Sequence, residues 1–430
     1  MLRGSGERKP KEPAPDVSRV RSGATFAIVV LTAMNLLNYV DRWVPSAVKP
    51  LFKRALHFSD AETSYPTTAF IVVYLAASPL FGALADKHQR KRLIAVGVGL
   101  WSLATASGAF AVGFKSFLVS RAAVGVGEAA YATLSPAVLS DFYPAGKRNR
   151  ILTIFYLAIP VGSALGYWLG GKVGTSYGWR AAFLITGLPG LLTALVVLLM
   201  REPARGACDA DKPQPISWPK ALSSLSRNRV FVVAVLGYTA VTFASGALAD
   251  WFPTFLYRDR GISLADADLL VGATGALGGL IGTFAGGFLA DRLRRHTRQP
   301  YFALSGVSMA LATAFAIVAL LVHGYWPIAG TILVAQILLW FYNGPINALI
   351  VNAVGANLRA RAVAVSILCI HLFGDALSPS IVGLVSDRTR SLPLALSMVP
   401  VALAVGAVVW LAGWRLVPAS TDPLRHAAGV

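Results

Sequence analysis

Residues 82–87 read Gly-Ala-Leu-Ala-Asp-Lys and run into Arg90-Lys91-Arg92, while residues 287–292 read Gly-Phe-Leu-Ala-Asp-Arg and run into Arg294-Arg295. The copies lie 205 residues apart, and each closes a long apolar stretch. Two further echoes keep nearly the same spacing. Ser59-Asp60-Ala61-Glu62 and Ser263-Leu264-Ala265-Asp266 are both helix-start patterns, a hydroxyl followed three residues later by an acid. Asp41-Arg42-Trp43-Val44-Pro45 is answered by Asp250-Trp251-Phe252-Pro253. Three echoes in register predict a duplicated chain whose halves are two equivalent bundles.

Of the 430 residues 55% are hydrophobic and only 14% charged, with a mean hydropathy of +0.61, outside the range of soluble globular domains. Twelve apolar stretches begin near Ala24, Ala61, Leu93, Ser116, Ile151, Ala181, Val230, Leu264, Phe302, Pro327, Ala362 and Leu392. Each is long enough to cross about 30 Å of hydrocarbon. The expected fold is therefore an all-α integral membrane protein, with twelve transmembrane helices in two pseudo-symmetric six-helix bundles. The bundles cover 24–200 and 230–416, joined by an inter-lobe loop at 201–229 and flanked by tails at 1–23 and 417–430.

The net charge of +19 invites a nucleic-acid reading, but its distribution points elsewhere. Outside the spans, 27 Lys and Arg fall in the tails and even-numbered loops against 10 in the odd-numbered loops, with Arg42 and Arg121 inside helices. That is the positive-inside asymmetry. It places both termini and the long loop in the cytoplasm of a multi-pass protein of the cell (inner) membrane. No soluble domain is expected to carry a nucleic-acid patch. The first span is too long for a signal-peptide core and lacks a small-residue cleavage pattern, so it is expected to stay uncleaved. Cys208 and Cys369 supply neither a disulfide framework nor metal spacing, and no P-loop, HExxH or GxSxG occurs. The expectation is a protein that is not an enzyme, needs no cofactor or metal, draws energy from an ion gradient, and works as a monomer among membrane lipids.

The informative residues are charges where hydrocarbon should allow none, since each costs roughly 2.5–3.5 kcal/mol at a helix centre. Arg121 and Glu128 are seven residues apart, hence within about 20° of one helix face and about 10.5 Å apart along it. Glu128 reads as a proton-coupling site or as one half of a permanent Arg–Glu pair. Counting residues from the span ends puts Asp41, Arg42 and Arg121 in an outer-side cluster, with Glu128 deeper. Asp41 reads as a second proton carrier or gate, or as a helix-end residue reaching water. Asn35, Asn38 and Arg42 share a face, and the Arg42 fork suits a carboxylate or phosphate.

In the second half, His371 and Asp375 are one turn apart, able to share a proton or simply to brace a kink near Ser378-Pro379. Asn343 and Asn347 flank Gly344-Pro345, a predicted break that either lines a substrate site or packs. Asp250 reads as a solvated helix end. Asp86, Arg90 and Arg92 with Asp291 and Arg294 read as a cytoplasmic gate between lobes or as headgroup anchors. Gly162, Gly166, Gly170 and Gly171 read as a close helix contact, and Trp43, Trp168, Trp179, Trp251 and Trp326 as an interfacial belt.

The duplicated Gly-x-Leu-Ala-Asp-Lys/Arg loop and Arg121-x3-Gly125-x-Gly127-Glu128-Ala129-Ala130 resemble signatures of the major facilitator superfamily. Asn35-Leu36-Leu37-Asn38-Tyr39-x-Asp41-Arg42, Gly178-Trp179-Arg180, Glu202-Pro203-x-Arg205-Gly206 and His371-Leu372-Phe373-Gly374-Asp375-Ala376-x-Ser378-Pro379 together resemble the Spinster lipid transporters, over nearly the whole chain. The first loop departs from the usual pattern with His88-Gln89 in place of a glycine. The resemblance implies a secondary transporter working by alternating access on a small amphiphilic substrate, a lysolipid or sphingoid-type lipid, with protons as the driving ion. A transporter of soluble organic anions or drugs would share every motif. A non-concentrating lipid sensor or scramblase is the alternative from another class.

Overall fold

A computed structural model describes residues 17–205, 217–293, 296–297, 299–355 and 357–416. Helix is the only regular structure among them. The first half contains α1 (Val17–Ala47), α2 (Asp60–Lys87), α3 (Arg90–Gly108), α4 (Phe114–Phe142), α5 (Ala145–Tyr177) and α6 (Trp179–Val197). The second contains α7 (Arg229–Arg260), α8 (Leu264–Leu293) and α9 (Pro300–Leu321). It continues with α10 (Tyr325–Trp340 and Asn343–Asn352), α11 (Arg359–Ile370 and Ser378–Thr389) and α12 (Leu392–Leu396 and Met398–Leu416). Short helices Lys49–Leu56 and Trp218–Arg227 occupy two connections. Eleven of the twelve are long and apolar enough to span by composition. The remaining one, α3, opens on Arg90-Lys91-Arg92 and still has 19 residues, about 28 Å of helix.

Local sequence accounts for the starts and the breaks. Ser59 and Glu62 form a reciprocal capping box at the start of α2, and Ser263 bonds the Asp266 amide at the start of α8. In α10 the break falls at Phe341-Tyr342, because Pro345 lacks an N–H and its ring clashes with the carbonyl four residues back. Pro379 does the same to Asp375, and His371–Asp375 widens into one π-helical turn. Outward-facing Leu80, Phe110, Val119, Leu199, Phe284, Phe288 and Val408 form the apolar exterior that lipid requires.

Each lobe has its own core. Trp101, Tyr131, Val98 and Leu134 fill one, and Trp410, Phe302, Phe255 and Leu339 the other. Glycines set the helix spacing. A Cβ at Gly166 would lie 2.5 Å from the Val40 carbonyl, and one at Gly162 2.7 Å from that of Leu36, so α5 rides directly on α1. Gly171, one step further round, instead meets Ala265 and Asp268 of α8 in the other lobe. Gly383 of α11 meets Asp60 and Ala61 of α2 in the same way. The lobes thus touch through α5–α8, α2–α11 and α1–α7. These contacts cluster at the end of the bundle opposite the chain termini, called the far side below.

Gly166→Val forces a branched side chain into the Val40 backbone, and overpacking of this kind costs about 1–3 kcal/mol. The purified variant should unfold several degrees below the wild type in a thermal melt.

Candidate functional site

The deepest charges lie in the first lobe. Arg42 donates from Nη2 to Glu128 Oε2 at 2.6 Å, with Glu128 fully buried and the Arg42 side chain 22% exposed. The guanidinium sits over an aromatic platform, 4.8 Å from the centre of the Tyr39 ring, 5.1 Å from Phe70 and 5.7 Å from Tyr74. Arg121 is buried over Phe70 at 5.5 Å, within electrostatic reach of both Asp41 and Glu128. Asp41 points the other way, into the lobe, accepting from Thr105 of α3 at 2.5 Å and from Thr186 of α6 at 3.5 Å. Four polar atoms here are buried without a partner: Asn38 Nδ2, Arg42 Nε, Arg121 Nη1 and Glu128 Oε1. Asn35, one turn back, donates to the Phe155 carbonyl.

Arg42 thus meets directly the Glu128 that was expected deeper, while Arg121 keeps Asp41 within electrostatic reach. Asp41 and Arg42 are sequence neighbours and so point about 100° apart on the helix. Val44 and Ala47 at the end of α1 are buried, as are Val48 and Lys49 just beyond it, so this end of the helix sits inside the protein.

One correction concerns Asp250, expected as a solvated helix end. It is 2% exposed and holds the two lobes together. The Lys49 ammonium bonds its Oδ2 and lies 4.0 Å from the centre of the buried Trp251 ring. Ser46 donates to Oδ1 at 2.9 Å, and Ser64 to Oδ2 at 3.2 Å. Burial pulls Lys49 below the ordinary lysine range, and the Asp250 carboxylate opposes that. A second ionic knot lies nearby. Asp60 takes Lys53, the Arg258 guanidinium at 2.8 and 3.0 Å, and Ser386 at 2.6 Å. Asp387 of α11 accepts the Asp60 and Ala61 amides at 2.9 Å each, using the α2 N-terminus as an anion site. Thr68 to Ala376 and Ser380, and Tyr167 to Ala249, complete the seam. Sequence reasoning noted Asp250 as an echo of Asp41 and as a helix end, not as a partner for another charge. Lys49, eight residues past Asp41 and next to Pro50, lies beyond the end of the first apolar stretch and was not singled out.

Of the tryptophans expected at the interface, Trp168 and Trp326 are exposed, whereas Trp179 and Trp251 are core residues and Trp43 stacks on Tyr167 at 5.4 Å. At the terminal end, Arg90 is buried and tied to Asp141 of its own lobe at 2.5 Å and to Glu202 of the inter-lobe segment at 3.0 Å. Arg205 crosses the end of α2 and donates to the backbone carbonyls of Ala85, Asp86 and His88, capping that helix. The Asp86 carboxylate and Arg92 are exposed, and Asp291, also exposed, accepts from Tyr301 at 3.2 Å. In this state Arg90 is held by Asp141 and by Glu202 of the inter-lobe segment, and Asp291 by Tyr301 of its own lobe. Arg294 lies outside the described residues.

In the second lobe His371 Nδ1 is 2.9 Å from Asp375 Oδ2 across the π-helical turn, both partly exposed. Asn347 bonds the Asn343 carbonyl at 2.7 Å, Asn343 reaches Thr283 at 3.3 Å, and Tyr238 packs edge-on to Tyr342. The structure thus brings together Arg42 with Glu128 in the first lobe, and His371 with Asp375 and Asn343 with Asn347 in the second, the last two pairs linked through Tyr238.

Two six-helix lobes closed at one end by polar locks, with buried charges inside, define a membrane transporter of the alternating-access kind. The Major Facilitator Superfamily model matches residues 31–379. The chain is 37% identical over 390 residues to human protein spinster homolog 1, covering 85% of this chain and 74% of that protein. It is 33% identical to the Xenopus laevis homolog 1 over 393 residues, with 85% and 74% covered. The crystal structure of a bacterial homolog to human lysosomal transporter Spinster, in inward-facing and unoccupied conformation, superposes with a TM-score of 0.78. It shares 23% identity, with 94% of this chain and 97% of that chain covered. The chain belongs to the major facilitator superfamily and, within it, to the Spinster family.

Asp250→Ala leaves the Lys49 ammonium buried and unpaired, a loss of about 3–5 kcal/mol to the closed far side. A cysteine placed at Ser380 in that seam should then react far faster with a membrane-impermeant thiol reagent. The double variant Lys49→Met with Asp250→Leu should return most of the protection.

Proposed function

We propose that this protein moves an amphiphilic, lipid-like substrate, of lysolipid or sphingoid type, in a proton-coupled cycle. One observation carries the reading: Glu128, fully buried, spends one oxygen on Arg42 while the other has no partner. A carboxylate so placed is stable only while the arginine stays with it. When an anionic headgroup takes the Arg42 fork, the pair is broken and Glu128 is left to take a proton. When the headgroup departs, Arg42 returns and the proton leaves. Binding of head and proton is thereby linked at one residue pair, with Arg121 as a second positive charge and Asp41 as a reserve acid. Tyr39, Phe70 and Tyr74 around the guanidinium offer apolar surface to the rest of an amphiphile. Asn38, Asn343, Asn347, His371 and Asp375 are the further polar contacts in this reading.

The positive-inside asymmetry supports a cell-membrane protein with both termini cytoplasmic, in which case the closed far side is extracellular and this state is inward-open. In the opposite state Asp86, Arg90, Arg92 and Asp291 would take part in the cytoplasmic seam.

The test is lysolipid flux in proteoliposomes under an imposed pH gradient. Glu128→Gln should reduce gradient-driven accumulation to background while leaving lipid counterflow measurable. A Glu128→Gln protein with wild-type pH dependence would assign coupling to another group. Competition by small carboxylates as strong as that by lysolipids would favour a soluble-anion substrate.

A further inference from the structure

Away from the Arg42–Glu128 centre, the seam between the lobes contains an acid that no other group satisfies. Asp268, in the second turn of α8, has no exposed surface, and neither carboxyl oxygen has a hydrogen-bond partner. Its Oδ2 lies 2.6 Å from where a Cβ at Gly171 would begin, so the carboxyl rests on the bare backbone of α5. One helical turn along, Gly272 fits against Ala164 and Tyr167 of α5. The acid is therefore enclosed by the very contact that joins the lobes.

None of the neighbouring ionisable groups donates a hydrogen bond to the Asp268 carboxyl, although Tyr167 lies within its electrostatic reach. Tyr167 donates its hydroxyl to the Ala249 carbonyl at 2.6 Å. Lys172, next to Gly171, is exposed, and Asp266 is exposed and held by Ser263 at 2.6 Å. Asp250 on α7 is bound to Lys49. The dipole of α8 helps little, because its influence fades beyond the first turn. An ionised carboxylate without donor or cation costs several kcal/mol in such a place, whereas the neutral acid loses far less.

We propose that Asp268 is a second proton-binding site, which takes up a proton when the far-side α5–α8 contact closes and releases it when that contact opens. The step is a simple ionisation: in the open state the carboxylate is wetted, and on closure it accepts a proton from far-side water to form the neutral acid. Its sign follows from linkage. The closed state binds one more proton than the open state, so acid favours closure, and the closed-to-open ratio falls about tenfold per pH unit wherever the open state is ionised. This site does not depend on the role of Glu128.

The experiment measures far-side distance distributions by electron–electron double resonance on the full-length protein in lipid. Nitroxides are attached to cysteines at Ala55 and Thr389, both exposed and in different lobes, with Cys208 and Cys369 changed to serine. Asp268→Asn, isosteric with the neutral acid, should lower the slope of log(closed/open) against pH by one proton. Asp268→Ala should do the same without filling the space. The loss of slope should appear equally in a Glu128→Gln background, which separates it from coupling at Arg42–Glu128. A slope unchanged in both Asp268 variants overturns the proposal.

Discussion

Hydrocarbon tolerates a charge only when it is paired or neutralised, and the layout of this protein follows from that constraint. Arg42 and Glu128 satisfy each other within one lobe; Lys49 and Asp250 satisfy each other only when the two lobes meet. The first pair can stay intact while the lobes rock. The second must break for the far side to open, and its serine ring must be replaced by water. A rigid-body cycle is therefore bistable: either the far-side groups face one another or they face solvent, and intermediate gaps leave charges dry and unpaired.

Close packing supplies the precision that such a switch needs. Gly162 and Gly166 seat α5 on α1, so the helix bearing Arg42 is held firmly by its own lobe. Gly171 and Gly383 do the equivalent work between lobes, at α5–α8 and α2–α11. The two seams are related by the internal duplication, but their chemistry is not: α2–α11 is closed by Asp60, Arg258 and Asp387, and α5–α8 by glycine, alanine and an acid without a partner. The asymmetry gives the closed far side one seam sensitive to ionic contacts and one sensitive to protons.

Much of this was legible from residue order. The duplicated loop, the capping sequences and the apolar periods dictated two six-helix bundles, and helical spacing paired His371 with Asp375 and aligned Asn343 with Asn347. Charges in apolar runs pointed to Arg42 and Glu128, though their direct bond, between residues 86 apart in the chain, needed the packing of α1 against α4. What stayed hidden were partners far apart in the chain. Asp250 looked like a helix end because its neighbours include Trp251 and Pro253, and only the meeting of α1 with α7 shows it buried. Asp268 lies two residues from an exposed Asp266, and no local pattern distinguishes them. The partners that hold Arg90 in this state, Asp141 and Glu202, are 51 and 112 residues away and were likewise hidden.

The most direct measurement is of lysolipid and proton movement together, in proteoliposomes of the wild-type protein with lipid at equal concentration on both sides and a pH step imposed across the membrane. Lipid accumulating above equilibrium, accompanied by a stoichiometric proton current, is the expected result. Lipid movement that never exceeds equilibrium, with no linked proton flux, would contradict a proton-coupled alternating-access cycle.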